Sequence, residues 1–248
     1  MNTAIGIDPS WVLIHPTGIC AIESAGDGWT VISTHASVMT VDHISASVAT
    51  YPGDPAVVAV DAPLWIPNRT GIRDCDREVV SRYIRRKIGV YPCNNTIASR
   101  CGWKTVDIRI ALQQAGFVEA PAAGPSVYFE TYPHPALVNM LDLPFRPEYK
   151  KGRIANRRAG LHQLGEQLRA YASANAVTFK DPTVRDATSP PDVNVLNGRE
   201  LKLAEDRLDA FVCALIAVSW IEFGPPGNEI IGAPGQGMMI FPRPRPAG

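Results

Sequence analysis

Two short and wholly apolar runs, each ended by an aspartate, most constrain the fold of this chain. Residues 4–7 (AIGI) lead into Asp8, and residues 56–60 (AVVAV) lead into Asp61. Continuous rather than alternating hydrophobicity is typical of strands that are buried on both faces. The pattern therefore predicts an α/β fold in which helices cover both faces of the sheet.

The remaining segments supply the other elements of an α/β fold. A Gly-rich turn between residues 17–24 and 29–34 predicts a hairpin, and residues 126–130 (SVYFE) predict another strand, which ends at Glu130. The clearest helix covers residues 200–222, where apolar residues recur at steps of three and four. The other predictions are helices at 40–50, near 74–88 and 105–115, at 135–141 and at 155–174, a short strand at 229–232 or 237–241, and a loop at 181–199.

Length and composition place the chain among ordinary globular proteins. Its 248 residues are 46% hydrophobic and 19% charged, which suits one α/β domain, with two small domains as the alternative. Residues 63–125 interrupt the strand pattern with Pro, Gly, Asn and Arg. We interpret them as a basic, partly helical insertion into a single domain that spans residues 1–248.

Cysteine use and hydropathy predict a cytoplasmic protein. The five cysteines include no CxxC pair, which favours free thiols in a reducing compartment. The first residues lack the pattern of a signal peptide. The most apolar stretch, residues 210–221, is shorter than the roughly 18–20 residues that span a bilayer, so we expect no membrane partner.

Three predicted strands end at an acidic residue. Ligands of such sheets bind beyond the carboxyl ends of the strands, so Asp8, Asp61 and Glu130 would converge if their strands are neighbours. Each acid also has a structural alternative. An aspartate at a strand end is often a turn former or a helix cap, and Glu130 could equally form a salt bridge.

The long C-terminal helix adds further acids to this set. Asp209 borders the apolar stripe, where an unpartnered acid is costly. On a helical wheel, Glu205 lies slightly closer to Asp209 than Asp206 does. The sequence leaves open which of these two residues completes the site.

Clustered carboxylates predict a hard divalent cation. Like charges close together raise one another's pKa, and Mg²⁺ or Mn²⁺ relieves this by taking oxygen ligands. Two such ions stabilise the attacking water and the leaving oxygen in phosphodiester hydrolysis. His134 could orient a water or a phosphate, or serve only as a cap. No P-loop or dinucleotide-binding motif competes with this interpretation.

The zero net charge of the chain conceals two basic stretches. Residues 69–110 hold ten basic and four acidic residues, and residues 146–169 hold seven basic and two acidic residues. Such stretches can bind the phosphates of nucleic acid, and interleaved aromatic residues can stack on its bases. Solvated helix faces are the alternative. The aromatic candidates are Tyr83, Tyr91, Trp103 and Tyr149, and the substrate-binding candidates are Arg85, Arg86, Lys150, Lys151, Arg153 and Arg157.

Five motifs, taken in order, resemble a known family. They are GIDP at 6–9, VDAPL at 60–64, FETYPHP at 129–135, YKKG at 149–152 and EDRLDA at 205–210. Their combination resembles the family called domain of unknown function 429, described as a predicted nuclease of the ribonuclease H-like fold.

The resemblance implies a fold and a site. The implied fold is a mixed five-stranded sheet flanked by helices, and the implied cofactor is Mg²⁺ or Mn²⁺. Asp8 and Asp61 match the acids that follow the first and fourth strands. The implied set is completed by Asp206 and Asp209, which match an i, i+3 pair on the last helix, and by Glu130, which matches the acid of the Glu-x-Tyr-Pro motif.

The preferred prediction is a Mg²⁺- or Mn²⁺-dependent nuclease with metal on Asp8, Asp61 and Asp209. One alternative is a nucleotide-binding, kinase-like ATPase, which would need a Gly-rich phosphate loop after the first strand pair. The turn at residues 25–28 carries an acid where that phosphate would lie. The other alternative is a catalytically silent nucleic-acid-binding protein, whose acids would not converge. The sequence leaves open DNA versus RNA and the oligomeric state, a homodimer included.

Overall fold

Nine strands form one mixed sheet in the computed structural model, which describes residues 1–122 and 124–244. The strands are β1 (Thr3–Asp8), β2 (Pro16–Ala25), β3 (Gly28–Val38), β4 (Ala56–Val60), β5 (Val118–Glu119), β6 (Ser126–Glu130), β7 (Val177–Phe179), β8 (Asn228–Ala233) and β9 (Gly237–Pro242). Their order is β7-β3-β2-β1-β4-β6-β9-β8, and β5 also pairs with β6.

The central five strands have the expected ribonuclease H-like arrangement. β3, β2 and β1 form an antiparallel meander, and β4 and β6 follow parallel to β1. The expected number of strands is wrong for the sheet as a whole. β7 extends one edge, and β5, β9 and β8 add strands beyond β6. Both segments offered for the C-terminal strand are strands, and they pair with each other.

Eight helices surround this sheet in the described part of the chain. The expected loop at 181–199 is wrong, because it contains a helix whose first turn is capped by Asp181 and begins with Pro182. Sequence analysis also misses the short helix that Asn94 caps. The helices are α1 (Val41–Ala49), α2 (Asp74–Tyr83), α3 (Asn95–Cys101), α4 (Lys104–Gln114), α5 (Pro133–Met140), α6 (Ile154–Ala174), α7 (Pro182–Thr188) and α8 (Gly198–Gly227).

Both faces of the central strands are buried, as their continuous hydrophobicity predicts. Along β4, Val57 and Ala59 belong to the apolar cluster that includes α5, α6 and α8. Val58 and Val60 point the other way, into the cluster that includes α1 and α4. Successive side chains of a strand point to opposite faces. Every residue of such a strand must therefore be apolar.

Helix α8 lies directly on the sheet, because glycines of β1 and β2 leave room for its backbone. A methyl group on Gly6 would overlap the carbonyl oxygen of Ala210, and one on Gly18 would overlap that of Asp206. By length and composition α8 could cross a membrane, but 67% of its most apolar 18-residue window is buried inside the protein. Its position fixes the acids of α8 beside β1.

Candidate active site

The acids at the three strand ends lie along one edge of the sheet. β1, β4 and β6 are parallel neighbours, so their carboxyl ends coincide. The Asp61 amide donates a hydrogen bond to the Ile7 carbonyl (2.9 Å), and Glu130 pairs with Val60 in the β4–β6 register. Asp8, Asp61 and Glu130 line one cavity of about 410 Å³, hereafter the acidic cavity.

Helix α8 brings a fourth acid to this edge. The side chain of Asp209 is 0% exposed. Its Oδ1 accepts a hydrogen bond from the Tyr149 hydroxyl, and its Oδ2 forms an ion pair with the Lys150 ammonium. Asp209 therefore has the partner that its position beside the apolar stripe requires.

The pKa values of the acids show that they share one electrostatic environment. Burial raises the pKa of Asp8 well above its usual value, and Asp209, Asp61 and Asp206 raise it further. Burial raises the pKa of Asp61 to about 7, with a further contribution from Asp209. Lys150 lowers both values. Carboxylates from β1, from the end of β4 and from α8 therefore repel one another and depend on a shared cation.

Lys150 supplies that cation. Its ammonium is stabilised by the charges of Asp209, Asp8 and Asp61, which raise its pKa against the effect of burial. Sequence analysis placed this lysine on a substrate phosphate. The structure corrects that placement, because Asp209 binds the ammonium inside the acid cluster.

The donor chemistry of the site suits a metal, but the arrangement of the donors does not hold one. Aspartate oxygens are ligands that Mg²⁺ and Mn²⁺ prefer, and the buried Oδ2 of Asp206 has no hydrogen-bond partner. Within residues 1–122 and 124–244, however, no three His, Cys, Asp or Glu side chains are grouped so as to bind a metal ion. The types of residue at the site suit a metal ion, but such an ion would compete with Lys150 for the carboxylates.

Glu130 is engaged in a structural salt bridge. The Arg73 guanidinium binds both of its oxygens, at 2.8 Å for the Nη1–Oε2 pair, and the Leu64 amide donates to Oε2 (3.0 Å). Arg73 also binds Asp76, and all three charged side chains are buried. Of the two interpretations of Glu130, the structure favours the salt bridge. Sequence analysis missed Arg73, because the motif containing Glu130 gives no sign of its partner.

Glu205 and Asp206 on α8 both interact electrostatically with Asp209 but have different partners. Arg157 holds both oxygens of Glu205, at 2.8 and 2.9 Å from Nη2. Asp206 pairs with Lys202 and contributes to the raised pKa of Asp8. Arg157 thus neutralises Glu205, a partner that the helical wheel ignores, and the choice between the two residues stays a prediction.

Three of the predicted substrate-binding residues have internal partners. Lys150 and Arg157 bind the acids of α8, and Arg86 donates to the Leu143 carbonyl (3.1 Å). The other three, Arg85, Lys151 and Arg153, are exposed. In the described part of the chain, their side chains form no ion pair or hydrogen bond.

One aromatic pair stands at the acidic cavity. Trp11 and Tyr91 line this cavity and meet edge to face, with ring centroids 5.8 Å apart. Tyr91 is 70% exposed. Of the other predicted stacking residues, Tyr83 and Tyr149 are buried and cannot meet a base. Sequence analysis missed Trp11, whose position beyond β1 was the available signal.

A family model and several solved structures resemble the chain. The model described as "Protein of unknown function (DUF429)" matches residues 6–227. A search of curated proteins found no match. T. thermophilus RuvC in complex with a Holliday junction substrate is 13% identical, with 87% of this chain and 96% of that chain covered and a TM-score of 0.38.

Two further structures are similar at the same level. For the yeast mitochondrial Holliday junction resolvase, identity is 7%, coverage is 89% of this chain and 80% of that chain, and the TM-score is 0.42. For the human cytomegalovirus terminase nuclease domain, in its Mn-soaked and inhibitor-bound form, identity is 14%, coverage is 89% of this chain and 84% of that chain, and the TM-score is 0.35. Similarity of this degree says nothing about activity, so the function must be argued from the site.

Proposed function

Since the chain belongs to the DUF429 family, a family of unknown function, its own site must indicate the function, and we propose that the protein is a metal-dependent nuclease that hydrolyses phosphodiester bonds of nucleic acid. One observation carries this proposal. Asp8, Asp61 and Asp209 come from three different elements, the Lys150 ammonium pairs with Asp209, and the charges of all three acids raise the pKa of Lys150. Carboxylates with raised pKa values in a cleft are typical of functional sites.

Asp8, Asp61 and Asp209 would hold Mg²⁺ or Mn²⁺ once Lys150 is withdrawn and their carboxylates move together, since in the described residues they are not grouped to bind an ion. A bound ion would activate a water molecule and stabilise the leaving oxygen. Asp206, with a free buried oxygen, would orient that water. Lys150 lies in the segment between α5 and α6 and its side chain is 31% exposed, so it can leave the acids without unfolding the core.

The surroundings of the acids suit a nucleic-acid partner. Trp11 and Tyr91 offer aromatic surface at the acidic cavity, and stacking of a base on such surface contributes about 1–3 kcal/mol to binding. Glu130 and Arg73 form a rigid wall of this cavity, because the charge of each side chain is paired with that of the other. We therefore propose a strand with an accessible base as the substrate.

The two alternatives have less support. The turn at residues 25–28 joins β2 to β3 at the sheet edge opposite Asp8, as the pairing of Asp8 with Gly18 and of Thr3 with Glu23 requires. This turn cannot hold the phosphates of a nucleotide beside the acids. The catalytically silent alternative expects acids that do not converge, whereas Asp8, Asp61 and Asp209 interact electrostatically.

Cleavage assays test the proposal. The wild-type protein is expected to cleave DNA or RNA oligonucleotides with Mg²⁺ or Mn²⁺ and to stop when EDTA is added. Asp8→Asn should lower the rate more than about 100-fold, since even outer-shell partners of a metal site contribute 10–100-fold. Asp74→Asn is the matched control, because that side chain is 94% exposed on α2. Undiminished cleavage by Asp8→Asn would refute the site, and ATP hydrolysis without cleavage would favour the kinase-like alternative.

A further inference from the structure

A second and larger cavity adjoins the acidic cavity. It measures about 820 Å³ and shares Val90, Tyr91, Tyr132 and Lys150 with its neighbour. Its other charged lining residues are the cations Lys87, Arg146 and Lys151 and one acid, Glu148. We call it the basic cavity. The acidic cavity is lined by Asp8, Asp61 and Glu130, whereas the basic cavity has three cations and one acid besides the shared Lys150.

Within the described residues, Lys87, Arg146 and Lys151 differ from Arg157 and Lys150 in having no acidic partner. Arg157 binds Glu205 and Lys150 binds Asp209. The Arg146 and Lys151 side chains, by contrast, make no hydrogen bond or ion pair within residues 1–122 and 124–244. The Lys87 ammonium lies 4.5 Å from the centre of the Phe145 ring, with no carboxylate bound to it in that same part of the chain. Cations left unpaired around one cavity point to an anionic ligand.

A buried histidine adds an unsatisfied polar group to the same wall. His134 lines the basic cavity and is 9% exposed, and its Nδ1 has no hydrogen-bond partner. Its ring lies between Tyr132 and Tyr149, with centroids 5.3 and 6.0 Å away. Burial and the charges of Lys150, Arg146 and Lys151 lower its pKa to about 3. The imidazole is therefore neutral at pH 7 and lies beside three cations, of which only Lys150 has an acidic partner in the described part of the chain.

We propose that the basic cavity binds a backbone phosphate of the nucleic-acid strand, next to the phosphate that lies at the acids. Arg146 would make the directional contact, since a guanidinium binds phosphate through two parallel hydrogen bonds. Lys87 and Lys151 would add charge from either side. This inference rests on the proposed function, because it assigns the part of the substrate that holds the strand in register with Asp8 and Asp209.

Binding measured without catalysis tests the inference. Fluorescence anisotropy of short single-stranded DNA and RNA in EDTA would be compared for Arg146→Ala, Lys151→Ala and the wild type. We expect Kd to rise about 10-fold for each variant, and the slope of log K against log salt to fall by about one. Lys180→Ala is the control, because that lysine is exposed beyond β7. Circular dichroism and Tm would verify that all variants fold.

The outcomes separate the subsite from catalysis. Variants that bind the oligonucleotide as the wild type does, with the same salt slope, would overturn the inference even if the wild type cleaves nucleic acid. Weaker binding by both variants would support it even if no cleavage is found, in which case only the catalytic proposal fails. The inference would also be overturned if these substitutions abolish the binding of inorganic phosphate but leave oligonucleotide binding unaffected, because the cavity would then bind a free anion.

Discussion

Replacement of Lys150 by methionine tests whether this side chain stands in for a metal ion. The substitution keeps the length and apolar stem of the side chain but removes the ammonium that Asp209 binds. Asp8, Asp61 and Asp209 then face one another without a cation. We expect two effects of opposite sign: the metal-free protein loses stability, and its affinity for a divalent cation increases.

The size of both effects follows from the exposure of the ion pair. Removing one partner of a buried pair costs about 3–5 kcal/mol. Asp209 is fully buried but the Lys150 side chain is 31% exposed, so we take the lower limit, about 3 kcal/mol. A metal that no longer has to displace this ammonium should bind about 100-fold more tightly, which corresponds to ~2.8 kcal/mol.

Unfolding and binding measurements on the EDTA-stripped protein provide the assay. Urea unfolding at pH 8 gives the loss of stability, and isothermal titration with Mg²⁺ and Mn²⁺ gives the affinity. Lys180→Met, a change of an exposed lysine, should alter neither quantity. If Lys150→Met binds metal no more tightly than the wild type, Lys150 does not compete for the metal position and the reasoning fails. An unchanged stability would show that the ammonium does not neutralise the acids.

The other predictions concern packing, partner choice and pH. Gly6→Ala should destabilise the protein by about 1–3 kcal/mol or more, because the new methyl group overlaps the backbone of α8. Gly198→Ala should not destabilise it, because there is open space around that position. Equal Tm values for the two variants would contradict the packing argument. Arg157→Ala should lower Tm through the loss of its pair with Glu205 and leave oligonucleotide affinity unchanged. An unchanged Tm with weaker oligonucleotide binding would instead support the predicted role of Arg157 in substrate binding. His134 has a folded-state pKa of about 3, below its unfolded value, so the unfolded state binds the proton first and stability falls as pH decreases from about 6.5. The free energy of unfolding of the wild type should therefore decline relative to that of His134→Phe by up to about 1.4 kcal/mol per pH unit below 6.5; parallel pH profiles would refute this assignment.

The strands and the acidic edge could be predicted from sequence because their cause is local. A strand that is covered on both faces has to be apolar throughout, and β1 and β4 carry that pattern in the residues before Asp8 and Asp61. Parallel neighbours end at the same edge, so the convergence of their acids followed from the pattern. Helix α1 was predicted for the same reason, since its N-cap is local: Thr40 accepts a hydrogen bond from the amide of His43, three positions later.

The partners of the charged residues could not be predicted, because they come from distant segments. Arg73 and Glu130 are 57 positions apart, and Arg157 and Glu205 are 48 apart. The basic stretches were therefore counted as free charge, although three of their cations, Arg73, Lys150 and Arg157, neutralise buried acids. For the same reason the sequence called for an external cation at the acids, although Lys150 already supplies one.

The contact of α8 with β1 makes the complete set of acids depend on the docking of α8. Asp8 lies on the first strand and Asp209 on a helix near the other end of the described chain, joined through the backbone contact at Gly6. A nascent chain that still lacks α8 has a glycine-floored groove on its sheet and only part of the acid set. Under the proposed function, a chain that lacks α8 would therefore not cleave nucleic acid, because Asp209 would be missing from the acids.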